Sequence, residues 1–243
     1  MADQFNYDSF FSDGSRDTPP GSVRHSKYDF AVAYPDPDNL PLEDLIESVK
    51  AGFEREGKDL AYYSSGAGDP ELRKLVADKL NRDRNMKVTA DDMVLTSGSG
   101  EAIGIVIQAL TNPGDVVLVE EFVYLGTLNQ MKRYEADVVA VKCDDGGIIP
   151  ESLDSVIAEQ TAKGKTVKYL YTIPMFQNPL GWTMDLERRK QVLEVTGKHG
   201  IPIFEDDCYA DLRFEGEDVT SFHSLDDTGR VVYVGSFSKI IAP

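Results

Sequence analysis

The sequence predicts an α/β fold, a three-layer sandwich around a mostly parallel sheet. Two observations carry this. From Met93 onward, short and nearly continuous apolar runs recur at Met93–Thr96, Val116–Glu120, Val138–Val141, Val167–Ile173, Ile201–Glu205 and Val231–Val234. Segments of helical period separate them, and strands without polar alternation are covered on both faces. There is no internal repeat and no low-complexity tract.

Each element has a local reason. Residues 1–27 are polar, carry Pro19-Pro20 and four aromatics (Phe5, Tyr7, Phe10, Phe11), and read as a loose arm. Pro41 opens a helix with Leu42, Leu45, Ile46, Val49 and Phe53 at helical spacing and Glu43 and Asp44 in its first turn. Pro70 opens another, with Leu72, Leu75, Val76 and Leu80 on one face. The stretch Tyr62–Asp69 between them is turn-rich. Leu153, Val156 and Ile157 predict a helix over 150–163. Asp185 caps a further helix over 185–198, which carries Leu186, Val192 and Leu193.

The 243 residues carry a formal charge of −17 and are 41% hydrophobic, enough for a substantial core. The acidic balance excludes a nucleic-acid binder, which needs clustered cations, and disfavours an anionic membrane surface. Only Cys143 and Cys208 are present, with no CxxC spacing, so the expectation is two buried reduced thiols and no metal site. The N-terminus lacks a basic, apolar leader, and no run approaches the ~18 apolar residues of a membrane span. A cytoplasmic setting is expected.

Sites in parallel sheets lie beyond the carboxyl ends of the strands. Several motifs there fail. Gly98-Ser99-Gly100 with Glu120 or Glu121 about 20 residues on suggests a dinucleotide fingerprint, but Ile103 stands where the third glycine belongs. Gly164-Lys165-Thr166 resembles the end of a phosphate loop, but Glu159 occupies its first glycine position. Ser236-Phe237-Ser238-Lys239 fits a serine acyl-enzyme motif without its companions. His25, His199 and His223 are isolated.

One constellation survives. Lys239, flanked by Ser236 and Ser238, is a candidate amine nucleophile towards an aldehyde. The two hydroxyls and the helix start at Gly98, Ser99 and Gly100 suit a phosphate dianion. Asp206 leaves a strand end, where a carboxylate can keep a pyridine nitrogen protonated. Tyr209 and Asn178 can donate to a ring oxygen, and Tyr124 offers an aromatic face.

These stretches resemble the class I/II aminotransferases among the fold-type I pyridoxal-phosphate enzymes, in the branch with 2-aminoadipate and aromatic aminotransferases. The matching segments are Tyr63–Gly68 through Arg73, Thr96–Ala102, Pro174–Gly181, Glu205–Tyr209 and Gly235–Lys239, within a likeness covering about residues 28–243. The resemblance implies pyridoxal 5'-phosphate as cofactor and amino-group transfer between an amino acid and a 2-oxo acid. It implies that Lys239 carries the cofactor and shuttles the proton. Asp206 pairs with the ring nitrogen, Tyr209 and Asn178 hold the ring oxygen, and Tyr124 stacks. Gly98, Ser99, Gly100, Ser236 and Ser238 hold the phosphate. Tyr63 reaches the phosphate of a partner subunit, so a homodimer is implied. Residues 28–57 become part of a small domain and 58–243 the cofactor-binding major domain.

Two departures stand out near the site: Phe122 replaces a proline, and Ala33 replaces a substrate-loop glycine. The chain ends four residues past Lys239, before the family's last sheet strand and its carboxylate-clamping arginine. It therefore reads as the N-terminal portion of a longer enzyme, and the isolated chain is expected to fold poorly and to transaminate little or not at all. The alternatives are β-elimination or decarboxylation on the same scaffold, or an inactive remnant.

Overall fold

The structure is a computed structural model that describes residues 6, 9–10, 33–63 and 65–241. The residues from Pro35 onward form one compact unit, separate from those before it. The arm expected over residues 1–27 lies almost wholly outside the described residues.

The unit from Pro35 onward begins with helices α1 (Leu42–Glu56) and α2 (Pro70–Arg84). Asp69 caps α2 by accepting from Leu72 N at 2.8 Å, and Asn85 ends it in the left-handed conformation. The expected face of α2 is rotated. Ala77 and Arg84 are buried, whereas Leu72 and Leu75 are exposed. Helix α1 forms where its period predicts, yet Leu42, Ile46, Val49 and Phe53 all stay exposed.

The alternating part follows: α3 (Ser99–Leu110), β1 (Val116–Glu120), α4 (Leu125–Arg133), β2 (Asp137–Val141), the small antiparallel pair β3 (Cys143–Asp144) and β4 (Gly147–Ile148), α5 (Pro150–Ala162), β5 (Val167–Thr172), α6 (Leu186–His199), β6 (Ile203–Asp206), α7 (Phe222–Leu225) and β7 (Val231–Val234). The large sheet runs β2-β1-β5-β6-β7, parallel throughout. Alternate residues of each central strand enter two different cores. Val116, Leu118, Leu170 and Ile203 pack with Leu153, Ile157 and Val192 of α5 and α6. Val117, Val119, Tyr169, Tyr171 and Phe204 pack with Ile103 and Ile107 of α3 and Met131 of α4. Both faces are covered, so both registers are apolar. That is the continuous pattern read from the sequence.

Two further expectations are corrected, and one element was not expected at all. The run Met93–Thr96 is not a strand. Its composition suits one, but among the described residues no strand pairs with it, and its Leu95 N donates to Ala67 O of the turn before α2 at 3.0 Å. The β3–β4 pair had no counterpart in the sequence reading, since two-residue strands leave no period to detect. Cys143 and Cys208 are free thiols but only half-buried.

The β3–β4 turn depends on one glycine. Gly147 sits at φ +95°, and a Cβ there would meet the Trp182 ring at 3.0 Å and Met184 Cε at 3.1 Å. Gly147→Ala is expected to cost about 1–3 kcal/mol from backbone strain and overpacking. Urea unfolding of the two proteins side by side checks this, and an unchanged midpoint would refute it.

Candidate functional site

The carboxyl ends of β1, β5, β6 and β7 deliver the chemistry to one place. Asp206 ends β6 and is buried. Its Oδ2 accepts from the Tyr171 hydroxyl at 2.6 Å, while its Oδ1 is equally buried and has no hydrogen-bond partner. Burial pushes its pKa up to about 6, against the lowering effect of the Tyr171 hydrogen bond. Three residues on, the chain turns into a short 3-10 helix and presents Tyr209, whose hydroxyl accepts from Asn178 Nδ2 at 3.1 Å. Burial raises the Tyr209 phenol to about 12, so it is a neutral donor at physiological pH.

Asn178 is held by its neighbour Gln177. The Gln177 side chain donates to Glu120 Oε2 at 2.7 Å and to Phe122 O at 2.6 Å, and it accepts from Leu180 N at 2.8 Å. Glu120 also accepts from Ile173 N at 2.9 Å and from the Thr172 hydroxyl. This buried acid, its pKa raised to about 8 by desolvation, ties the ends of β1 and β5 to the Asn178 loop. Both its oxygens are engaged within the protein, so it is not placed to serve a ribose, and Ile103 remains the argument against the dinucleotide reading with Glu121.

The polar loops meet at the other end of the site. Gly98 precedes α3 at φ +79°, a conformation that favours glycine, and its Cβ position lies 3.7 Å from Ser238 Oγ. Ser238 N donates to Ser236 Oγ at 3.2 Å. Lys239 is half-buried in the turn where Ile240 N and Ile241 N both reach Phe237 O. The first N–H groups of α3 point out of its N-terminus towards the same place. Glu101 folds back onto Ser97 N at 2.6 Å and closes the preceding turn. Beside these loops lies a cleft of about 700 Å³, lined by Met93, Leu95, Asp207, Tyr233, Ser236 and Ser238 among others.

The profile of the aminotransferases of class I and II matches residues 31–242. The chain belongs to that family. An aromatic-amino-acid aminotransferase of Thermococcus litoralis is 33% identical over 250 residues, covering 100% of this chain and 60% of the relative. The mitochondrial kynurenine/alpha-aminoadipate aminotransferase of Bos taurus is 29% identical over 265 residues, covering 98% and 62%. Among solved structures, the multiple substrate aminotransferase of Thermococcus profundus superposes with a TM-score of 0.87 at 32% identity, over 98% of this chain and 61% of that one. The chain thus spans about 60% of the length of these two relatives. Its five-stranded parallel sheet is that of the aminotransferase large domain.

Within this aminotransferase chain the remaining candidates fall as follows. Tyr124 precedes α4 and is exposed, its ring folded over Gly126, where a Cβ would come within 2.5 Å of it. Tyr63 is fully exposed. His199 pairs with Asp154 at 2.6 Å and His223 is half-buried, while His25 lies outside the described residues. Among the described residues no cluster of His, Cys, Asp and Glu suits a metal, and no helix is long and apolar enough to cross a membrane. Sequence reasoning missed Tyr171, Thr127 and Gln177. Tyr171 lies inside a run read as core. A hydroxyl in a fully buried strand must find a partner, and that was the available signal.

Proposed function

We propose that this chain is the cofactor-binding part of a transaminase that moves an amino group between an amino acid and a 2-oxo acid through pyridoxal 5'-phosphate carried on Lys239. The observation that carries the reading is Asp206 Oδ1. It is a buried carboxylate oxygen with no partner at the end of a parallel strand, within the same site as a lysine and a phosphate-sized group of donors. A buried acceptor left open is costly and fits a protonated pyridine nitrogen. Pyridoxal phosphate supplies an aldehyde to receive the amine and a ring to withdraw electrons from the substrate α-carbon.

The chain's own residues divide the remaining work. Lys239 supplies the amine and moves the proton at the α-carbon. Asp206 holds the ring nitrogen charged. Tyr209, steadied by Asn178, donates to the ring oxygen. Gly98, Ser99, Gly100, Ser236 and Ser238 take the phosphate, and Tyr124 covers the ring face. Tyr63, extended into solvent, suits a phosphate in a second copy of the chain, so the assembly is a homodimer. The relatives' names put aromatic, kynurenine and aminoadipate substrates in the same class, α-amino acids with extended side chains.

The test is to add pyridoxal phosphate, reduce with borohydride and map the adduct by mass spectrometry. One phosphopyridoxyl group on Lys239 is expected. A folded protein with no adduct, or with adducts scattered over surface lysines, would overturn the reading.

A further inference from the structure

We propose that Tyr171, backed by Thr127, is the positioning residue that holds Asp206 with one oxygen turned towards the cofactor's ring nitrogen. This rests on the functional reading above. Tyr171 is fully buried in β5, its ring edge-on to Phe204 at 5.3 Å between centroids and 81° between planes. Its hydroxyl lies 2.6 Å from Asp206 Oδ2 and 3.1 Å from Thr127 Oγ1. A phenol has one hydrogen, and the carboxylate takes it. The Thr127 hydroxyl therefore donates to the Tyr171 oxygen, and the relay runs Thr127 to Tyr171 to Asp206.

The relay has a consequence for the open oxygen. A carboxylate free to rotate would exchange its two oxygens. Here Oδ2 is pinned from the side of α4, so Oδ1 stays the open one. Thr127 sits on the first turn of α4, three residues after Tyr124. One helix start therefore carries both the aromatic group and the anchor of the relay. Outer-shell donors of this kind fix the direction and basicity of the group they bind. A merely structural tyrosine would fill the same space without regard to the ring nitrogen, and the two roles can be separated experimentally.

The experiment measures dissociation constants on the 243-residue chain by quenching of its one tryptophan, Trp182. Two ligands are compared, pyridoxal phosphate and an analogue with carbon in place of the ring nitrogen. Tyr171→Phe is expected to weaken pyridoxal phosphate about 10- to 100-fold and to leave the analogue within about 2-fold. Thr127→Val should act in the same direction with a smaller effect. Unchanged binding of pyridoxal phosphate by Tyr171→Phe would overturn the proposal, and so would equal weakening of both ligands, which marks a structural role. If Tyr171→Phe does not fold, Thr127→Val decides on the same two ligands. Wild-type chain that binds neither ligand would bring down the functional reading itself, an outcome distinct from the others.

Discussion

Asp206→Asn is expected to weaken pyridoxal phosphate binding about 10- to 100-fold while making the cofactor-free protein more stable at neutral pH. The two effects share one cause. Asp206 is buried, one of its oxygens is unpartnered, and like-charged Asp207 adds to the cost of its ionised form. Its pKa is raised from 3.8 to about 6 on folding. As pH rises through this window the unfolded chain loses the proton first. Stability is therefore greatest below about pH 4 for this group and falls until pH passes 6. The loss amounts to roughly 3 kcal/mol at 1.36 kcal/mol per pH unit, an upper figure for a group that still keeps hydrogen bonds.

Glu120 and Glu205, raised to about 8 and about 7, add losses of the same sign at higher pH. The carboxylates held low by good partners, such as Asp144 with Arg188 and Asp226 with Thr228, act only below pH 4. Between pH 4.5 and 8 the three buried acids lower stability as pH rises, opposed by His223, whose imidazole is held below its usual range by burial. Asp206→Asn keeps the shape and removes the charge, so it should recover about 1–3 kcal/mol at pH 7 and little at pH 4.5. Urea midpoints at the two pH values test this. A variant less stable than wild type at pH 7 would sink it. A buried, half-satisfied acid kept at such a cost is the stability–function conflict expected of a binding site.

That conflict also explains how much of the molecule was legible in sequence. The strands were readable because burial on both faces leaves long apolar runs, and five of the six runs became strands of the sheet. Met93–Thr96 was misread because pairing requires a neighbour that composition cannot report. Asp206, Tyr209, Asn178, Ser236 and Ser238 stand out as candidates because strand-end polar residues are conspicuous against apolar runs. The groups that orient them were not. Tyr171 counts as core in any hydrophobicity pattern, and Gln177 looks like loop filling. Only the fold shows that Gln177 spends both ends of its amide on Glu120, Phe122 and Leu180 to hold Asn178. Arg189 illustrates the same limit, since a basic residue in a charged stretch, Glu187-Arg188-Arg189-Lys190, reads as solvated.

Arg189→Met is expected to destabilise the chain by about 3–5 kcal/mol, the range for breaking one partner out of a buried ionic cluster. Arg189 is fully buried on α6. Its guanidinium donates to Met184 O at 2.9 Å, Thr220 O at 3.1 Å and Pro174 O at 3.1 Å, and stands 3.8 Å from Glu205 Oε1. Glu205, equally buried, accepts from Phe222 N and His223 N at 2.9 Å each. One cation thus ties β6 to α7 and to both ends of the segment 174–184, which carries Asn178. Methionine fills most of the volume but leaves the Met184 and Thr220 carbonyls unpaired, Pro174 O with only its bond from Met184 N at 2.9 Å, and Glu205 without its counter-charge. The carbonyl cost is independent of pH. The Glu205 cost is present only where that carboxyl is ionised, so the defect should be larger at pH 8 than at pH 5.5. Adding Glu205→Gln to Arg189→Met should recover the pH-dependent part and leave the rest. Unfolding midpoints of the single and double variants at both pH values measure the two parts. An equal defect at both pH values, with no recovery in the double variant, would show that Arg189 acts through its hydrogen bonds to carbonyls alone and that its charge contributes nothing to the fold.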